Sequence, residues 1–290
     1  NNTWVQKTSG STARQYPVAV WDPEDRAMLV FGGWITSTGQ LNDLWAYYPS
    51  NDTWVQKKSG STPREGTTAA WDDQSHQMLI FGGSDNTIFM NDTWAYSPLN
   101  DTWIQKTNGS TPRSYFTSVW DSNNNQLLIY GGTSPGSVYL NDLWRYHHSD
   151  MIWTQKADAP KKKYSHTAVW DSKNNQMLVY GGSESGVSCT SETWAYSPTT
   201  DLWATKANGP AARFYHSAIW DDENNQMLVF GGLDGGTTYY GDLWAYSPSA
   251  DKWVQKANGP SARFGHAAVW DPQTKIMIIF GGQAPGQNNL

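Results

Sequence analysis

Tryptophan recurs along this chain at a spacing of about 50 residues, a period typical of repeat architectures. All but one of the 18 tryptophans belong to three series, and Trp34 is the exception. The series are Trp4, Trp54, Trp103, Trp153, Trp203 and Trp253; Trp21, Trp71, Trp120, Trp170, Trp220 and Trp270; and Trp45, Trp94, Trp144, Trp194 and Trp244. Because the repeat extends from end to end, we expect one domain over residues 1–290.

Each unit contains four short apolar runs, which we name a to d. In the fifth unit they are residues 217–220, 226–230, 242–246 and 252–256. The runs are rich in β-branched and aromatic residues and are bounded by Gly, Pro, Asn or Asp, which is the pattern of β-strands. The sequence therefore predicts an all-β fold, built as a radial array of small antiparallel sheets.

Polar residues punctuate the runs at fixed places. The a–b turn opens with Asp, whose carboxylate we expect to accept hydrogen bonds from backbone amides of the turn. A pair of glycines follows run b in every unit, from Gly32 and Gly33 to Gly281 and Gly282. Paired glycines at a strand end predict positive φ or a close backbone approach, so we interpret them as structural.

Charge and composition narrow the possible partners. The net charge of -6 and the pI near 5.4 give no electrostatic footprint for nucleic acid, and the only basic run is Lys161, Lys162 and Lys163. No apolar stretch is long enough to span a membrane, and the single Cys189 has no partner for an intramolecular disulfide. The chain starts at Asn1 without a signal-like stretch, so we expect a trimmed chain and leave its localisation unknown. No cofactor is expected.

The chain resembles the kelch-repeat β-propeller family six times over. The resemblance is carried by the double Gly after an apolar strand, the later Asn-Asp-x-Trp-x-Tyr, the spaced Trp, and a Pro-x-Arg or Pro-Arg with a downstream His. It implies a six-bladed propeller with four-stranded antiparallel blades, in which run a lines the central channel and run d lies outermost.

The closing blade departs from the family pattern. The resemblance implies a closing blade shared between the termini, but the sequence ends where the sixth Asp-x-Trp-Ala-Tyr strand should begin. We therefore expect an incomplete closing blade, with residues 1–7 in position d or slipped inward to position c. An exposed slot of this kind invites pairing with another chain, so self-association is a further expectation.

The repeats differ mainly on one face. Antiparallel order places the d–a connections and the b–c loops together, and we name this face the rim. Binding residues are commonly carried on loops of a rigid scaffold, and aromatic rings beside carboxylates suit a protein or a carbohydrate partner. The alternative is that some of these rings only fill the channel. The predicted ligand-binding residues are Tyr16, Trp34, Glu65, Asp85, Tyr115, Tyr139, Tyr164, Glu184, Tyr215, Asp234, Tyr239 and Tyr240.

Two series of charged residues vary together. The Arg before run a is replaced once, by Lys163, and the Asp that opens run c is replaced once, by Glu192, in the same unit. A shorter cation matched with a longer anion predicts a direct ion pair. We expect structural pairs Arg14–Asp43, Arg64–Asp92, Arg113–Asp142, Lys163–Glu192 and Arg213–Asp242, which set geometry more than they bind ligand.

His166, His216 and His266 occupy equivalent places in three units. We interpret them as structural and not as a metal site, because equivalent positions in a propeller point apart around the axis. Galactose oxidase and the sialic-acid mutarotases also have kelch-type blades, but the chain shows no catalytic triad or metal-ligand spacing. We therefore expect a non-catalytic binding or scaffold module. The alternatives are an enzyme of one of those two kinds and an engineered or recently amplified repeat scaffold without a dedicated ligand.

Overall fold

The computed structural model describes residues 3–60, 62–109, 111–186, 188–287 and 290, and these residues form strands, turns and loops with no helix. Five repeats each form a four-stranded antiparallel sheet in which the runs follow one another from the inside outward. Blade 1 contains β1 (Val18–Asp22), β2 (Ala27–Phe31), β5 (Leu44–Tyr48) and β6 (Thr53–Lys57). Blade 2 contains β7 (Thr68–Asp72), β8 (Gln77–Phe81), β9 (Thr93–Ser97) and β10 (Thr102–Gln105).

The remaining complete blades repeat this order. Blade 3 contains β11 (Thr117–Asp121), β12 (Gln126–Tyr130), β15 (Leu143–His147) and β16 (Trp153–Gln155). Blade 4 contains β17 (Thr167–Asp171), β18 (Gln176–Tyr180), β19 (Thr193–Ser197) and β20 (Leu202–Lys206). Blade 5 contains β21 (Ser217–Asp221), β22 (Gln226–Phe230), β23 (Leu243–Ser247) and β24 (Lys252–Gln255). Two b–c loops add small hairpins, β3 (Trp34–Ile35) with β4 (Gly39–Gln40) and β13 (Thr133–Ser134) with β14 (Val138–Tyr139).

The prediction of an all-β propeller with four-stranded antiparallel blades is confirmed, but the count of six such blades is wrong. The sixth unit forms only a two-stranded sheet, β25 (Ala267–Asp271) with β26 (Ile276–Phe280). The ring still closes, because β25 lies between β21 and β1. The sixth sheet stays at two strands because none of the described residues supplies its third.

Residues 3–7 run along the outside of the sixth unit without forming a strand. The ring centroid of Trp4 lies 5.5 Å from that of Phe230, and the backbone N–H of Thr8 donates to Asp52 Oδ1 at 3.1 Å. The equivalent N–H of Lys58 donates to Asp101 Oδ1 at 2.8 Å. The segment therefore lies in position d and not in position c. Asn1 and Asn2 are outside the described residues.

The outer tryptophans hold neighbouring blades together. Trp253 packs on Tyr246 of its own blade at 5.2 Å between ring centroids, and on Tyr180 of the preceding blade at 4.7 Å. The same two contacts recur in the other complete blades. Aromatic pairs at these distances stabilise the fold beyond the burial of their surface area. Because each complete blade has one such tryptophan, this tryptophan series recurs in the sequence once per blade.

Local turn chemistry fixes the strand ends. Asp22 Oδ1 accepts the backbone N–H groups of Glu24 and Asp25 at 3.0 and 3.2 Å, as expected for an Asx turn. Gly33 has φ of +95°, and a Cβ there would lie 2.6 Å from the carbonyl oxygen of Gln15. The glycine pair is therefore required where the b–c loop passes against the d–a connection.

No helix among the described residues is long and apolar enough to cross a membrane.

Candidate binding site at the channel mouth

The rim is assembled by a backbone bridge in each repeat between the d–a connection and the b–c loop. The bridged residues are Gln15 with Trp34, Glu65 with Ser84, Ser114 with Thr133, Tyr164 with Ser183, Phe214 with Leu233, and Phe264 with Gln283. The loops that differ most between repeats are thereby held rigidly around one mouth of the channel.

A chain of backbone hydrogen bonds runs around this mouth. Five residues each donate their N–H to the carbonyl of the equivalent residue one repeat earlier, at 2.7–3.0 Å: Tyr16, Tyr115, Ser165, Tyr215 and Gly265. All six members, Gly66 included, have φ between 52° and 63°. The members in ring order are Tyr16, Gly66, Tyr115, Ser165, Tyr215 and Gly265. Large and small side chains therefore alternate around the axis. The left-handed backbone costs a tyrosine of order 1 kcal/mol or more, so the three tyrosines are held there by the surrounding structure.

The three tyrosines meet over the channel axis. Ring centroids are 5.0 Å apart for Tyr16 and Tyr215, 5.5 Å for Tyr16 and Tyr115, and 5.6 Å for Tyr115 and Tyr215. The small residues between them are required for this packing, since a Cβ on Gly265 would lie 2.8 Å from Tyr16 Cε1. We name these three residues the tyrosine cap.

Glu65 is a buried carboxylate beside the cap. It accepts hydrogen bonds from Gln40 Nε2 at 3.3 Å and from the phenol of Tyr115. Burial raises the pKa of Glu65, and burial is also the main reason that the pKa of each cap tyrosine is raised. The cap therefore presents protonated phenols beside one carboxylate. At the position of Glu65 the other repeats have Gln15, Ser114, Tyr164, Phe214 and Phe264.

Further aromatic rings surround the cap. Tyr139 packs on Tyr164 at 5.2 Å between centroids, and Tyr239 packs on Phe264 at 5.4 Å. Phe264 in turn lies 5.9 Å from Tyr215. The sequence analysis missed Phe214 and Phe264 as members of this surface, although both stand in the variable position after the Arg series, which was the available signal.

Five predicted rim residues lie on this face but are engaged in contacts with loop and connection residues outside the cap. Trp34 pairs with Gln40 in the first hairpin, and Asp85 and Asp234 accept backbone N–H groups within their loops. Glu184 Oε1 lies 3.2 Å from Lys161 Nζ, and the ring of Tyr240 stacks on the Arg213 guanidinium at 4.2 Å. The structure therefore links Tyr16, Glu65, Tyr115, Tyr139, Tyr164, Tyr215 and Tyr239 through ring contacts and hydrogen bonds, and engages the other five elsewhere on the rim.

The structure brings together every charged pair that the joint exchange predicted. Side chains of Arg14, Arg64, Arg113, Arg213 and Lys163 are 0% exposed, and their N···O distances to the paired carboxylates are 2.5–2.9 Å. Arg113 shows the common geometry, because Nη1 and Nη2 contact both oxygens of Asp142 at 2.8 and 2.6 Å while Nη1 also donates to the Gly131 carbonyl at 3.0 Å.

The paired Asp also binds the Trp two residues on. Trp45 Nε1 donates to Asp43 Oδ2 at 2.8 Å, which accounts for the Asp-x-Trp spacing. Burial acts to raise the pKa of Asp43, but the hydrogen bonds and charge of Arg14, together with the hydrogen bond from Trp45, outweigh burial and lower the pKa. These pairs anchor the third strand to the rim.

The three equivalent histidines are buried between blades. His216 Nε2 contacts Thr167 Oγ1 at 2.7 Å, His266 Nε2 contacts Ser217 Oγ at 2.8 Å, and His166 packs edge-on to Tyr130. Burial lowers the pKa of His166 and His266 to about 3, so both are neutral at pH 7. Among the described residues, no group of three or more His, Cys, Asp or Glu side chains could hold a metal ion.

The opposite mouth of the channel differs from the rim mouth. A cavity of about 460 Å³ opens there, lined by the inner strands and the first residues of the a–b turns. The second tryptophan series contributes all six of its rings, and Trp270 Nε1 donates to Asp222 Oδ1 at 2.8 Å. The tyrosine cap covers the rim mouth, whereas this mouth is open.

A family comparison agrees with this architecture. The model of the Attractin/LZTR1 β-propeller family matches residues 1–169 and again residues 75–284. The chain belongs to this kelch-type propeller family. No curated protein matches the chain significantly.

Proposed function

We propose that this kelch propeller is a non-catalytic binding module whose partner is a protein that contacts the rim at the tyrosine cap. The observation that carries the proposal is the cap itself. Three tyrosines occupy left-handed backbone positions and alternate with small residues around the channel mouth. Kelch-type propellers commonly serve as protein-binding modules, which supports the same reading.

The chemistry of the surface suits a protein interface. Tyrosine supplies a large contact area at a low cost in side-chain entropy, and its phenol can donate a hydrogen bond to the partner. Tyr139, Tyr164 and Tyr239 are half-buried and surround the cap, while Glu65 offers one desolvated carboxylate. Aromatic anchors around a single charged group are typical of interface hot spots.

The arginines that precede run a favour a binding role over mutarotase-like catalysis, because they are buried and cannot contact a substrate. Arg14, Arg64, Arg113 and Arg213 are inaccessible and are engaged by carboxylates. Cys189 Sγ donates to the backbone carbonyl of Asp234 at 3.0 Å, in the fourth b–c loop. The four arginines are therefore not presented to a substrate at the channel mouth, and the thiol is engaged by a backbone carbonyl.

The test is partner capture followed by mapping. The immobilised chain is used to isolate a protein partner, and the Kd of the purified partner is then measured for variants. We expect Tyr139→Ala combined with Tyr239→Ala to weaken binding at least tenfold, because each removes aromatic contact area from the rim. Glu65→Gln should weaken binding separately through loss of the carboxylate.

The control is Leu99→Ser, on the opposite face, where Leu99 is 91% exposed in a c–d turn. This variant should bind as the parent does. A partner whose affinity responds to Leu99→Ser and not to the rim variants would overturn the proposal. A glycan array is the second arm, since the same rings could stack on a sugar, and specific glycan binding lost in the rim variants would replace protein by carbohydrate as the ligand class.

A further inference from the structure

Arg145 stands at a position where the other four complete blades have alanine. Ala46, Ala95, Ala195 and Ala245 occupy this place in the third strand, and each is at most 4% exposed. Arg145 therefore puts a half-buried charged side chain where the other blades bury a methyl group. Removing a guanidinium from water is costly unless a partner compensates for the lost hydration.

Arg145 has no such partner in the part of the chain that the structure describes. None of its nitrogens makes a hydrogen bond or an ion pair there, and Nε is buried. Burial and the hydrogen bond to Asp201 raise the pKa of Tyr196 in β19, while the nearby charge of Arg145 acts to lower it. The guanidinium therefore lies close to blade 4, with its donors uncommitted.

Arg145 lines a cleft of about 190 Å³ at the junction of blades 3 and 4. The a–b turn of blade 3 and the c–d turn of blade 4 both contribute to the cleft, so it belongs to the face opposite the rim. Its lining includes Asn124, Gln126, Arg145, His147 and Lys156 from blade 3, and Thr199 from blade 4. Drug-sized ligands occupy roughly 300–1,000 Å³, so a cleft of this size suits a smaller chemical group.

Lys156 adds a second cation to the cleft. Its Nζ lies 3.6 Å from Asp201 Oδ2, and the Asp201 side chain is 43% exposed. Such a long, solvated contact is weak, and an ammonium group has three N–H donors, so Lys156 has donors left for a ligand. His147 Nδ1 lies 3.0 Å from Ser149 Oγ and 3.7 Å from Asp150 Oδ1, which places an imidazole beside the two cations.

The carboxylates nearest the centre of the cleft lining are engaged by other groups. Asp121 Oδ2 accepts the side-chain amides of Asn124 and Gln126 at 2.8 and 2.6 Å. Asp201 Oδ1 accepts the phenol of Tyr196 at 2.6 Å. Neither carboxylate pairs with the guanidinium. The cleft therefore combines a lysine with an arginine whose charge the described residues leave unpaired.

The next junction around the ring shows which residues are special to this cleft. Between blades 4 and 5 the chain has Asn174, Gln176, Lys206 and Ser249 at the places of Asn124, Gln126, Lys156 and Thr199. At the places of Arg145 and His147 it has Ala195 and Ser197. Two residues thus make one junction basic while the rest of the lining is kept, so blade packing by itself does not require them.

We propose that the cleft between blades 3 and 4 binds a phosphate group, free or on a small ester, through Arg145 and Lys156. The planar guanidinium matches two phosphate oxygens, and the ammonium supplies a second positive charge for a dianion. Thr199 Oγ1 accepts from Asn175 Nδ2 at 2.9 Å, so its own O–H is free to donate to a third oxygen. The cleft is separate from the tyrosine cap and does not depend on the proposed function.

The test is isothermal titration calorimetry of the 290-residue chain with sodium phosphate near neutral pH, at constant ionic strength set with sodium chloride. We expect saturable binding at one site with a Kd of about 1 mM or lower. Sulfate should compete, because it has the same tetrahedral shape and a double negative charge. Phenyl phosphate separates the two sources: tighter binding than inorganic phosphate identifies an ester as the ligand, and weaker binding identifies the free ion.

Arg145→Ala is the first variant, since alanine is the residue of the other blades at this position. It should weaken phosphate binding by about tenfold or more, because the bidentate contact is lost. In chloride alone, urea unfolding should show that Arg145→Ala is at least as stable as the parent, because an unpartnered charge has been removed.

A lysine pair provides the matched control and does not depend on whether Arg145→Ala folds. Lys156→Gln should weaken phosphate binding, because it removes the second cation of the cleft. Lys206→Gln makes the same change at the next junction, where Ala195 replaces the arginine. This variant should bind phosphate as the parent does.

Four results would overturn the proposal. The first is the absence of saturable phosphate binding up to about 10 mM. The second is a phosphate affinity that Lys206→Gln lowers as much as Lys156→Gln, or that none of the variants lowers, which would indicate an adventitious ion only. The third is Arg145-dependent binding of acetate as tight as that of phosphate, because a carboxylate would then be the ligand. The fourth is a loss of stability in Arg145→Ala in chloride alone, which would assign Arg145 a structural role.

Discussion

The same substitution at two equivalent positions should have very different costs, because only one of the two arginines pairs with a carboxylate among the described residues. Arg113 is 0% exposed and holds Asp142 with two hydrogen bonds, at 2.8 and 2.6 Å. Arg263 occupies the equivalent place, is half-buried and pairs with no carboxylate among the described residues. Arg113→Ala and Arg263→Ala therefore form a matched pair within one molecule.

The magnitudes follow from what each substitution leaves behind. Arg113→Ala leaves the Asp142 carboxylate, which is 16% exposed, without its cation, and loss of one partner of such a buried pair costs about 3–5 kcal/mol. Arg263→Ala removes hydrogen bonds to neutral groups that water can partly replace, at about 1 kcal/mol. For a chain of this size about 2 °C of Tm corresponds to each kcal/mol, so we expect losses of about 6–10 °C and about 2 °C.

The assay is urea and thermal unfolding of both variants, followed by circular dichroism and tryptophan fluorescence. Arg113→Lys combined with Asp142→Glu is the rescue, since it copies the Lys163–Glu192 pair, whose N···O distance is 2.9 Å. The double variant should regain most of the stability that Arg113→Lys alone loses. Equal losses for the two alanine variants, or a double variant no better than the single one, would refute the reasoning.

Three further outcomes are expected. His166→Phe should keep or raise stability at pH 7, because neither ring nitrogen of His166 has a hydrogen-bond partner among the described residues; urea unfolding measures this. Burial lowers the pKa of His166 and His266 to about 3, so the unfolded chain binds more protons below pH 6.5; stability is full above pH 6.5 and falls as the pH drops toward 3. His166→Phe should remove about 1.5 kcal/mol of this loss between pH 6.5 and pH 5, and an unchanged pH dependence would contradict the assignment. Gly265→Ala should displace Tyr16 and lower stability by about 1 kcal/mol or more, because the new Cβ would lie 2.8 Å from Tyr16 Cε1 at a φ of +63°; a crystal structure with an unmoved cap would argue against the packing role of Gly265.

Several features of the site could be predicted from the sequence because the repeats serve as comparisons for one another. The exchange of Arg for Lys163 and of Asp for Glu192 in one repeat indicated a contact, and the structure places Nζ 2.9 Å from Oε2. The common face of the variable loops followed from antiparallel strand order. Phe214 and Phe264 escaped notice because nothing in a single repeat shows which variable side chains meet across the channel.

Each repeat by itself determined the local structure, since the apolar runs, the Asx turns and the glycine pairs act within about 50 residues of chain. The kelch assignment and the four-stranded blade follow from those local signals. Only the tertiary structure decided how equivalent positions combine around the axis. The alternation of tyrosines with small residues at the rim becomes a cap when the ring closes, because side chains from different repeats then share one space.

The sixth blade shows the same division between features that local sequence determines and features that depend on tertiary contacts. Its inner strands formed because β25 and β26 carry the same local signals as the other repeats. The sequence also indicated an incomplete closing blade, and the structure has five four-stranded sheets and one two-stranded sheet. Only the folded ring shows that Arg263 donates to the Gly281 carbonyl and pairs with no carboxylate among the described residues, because such contacts join segments that are distant in sequence.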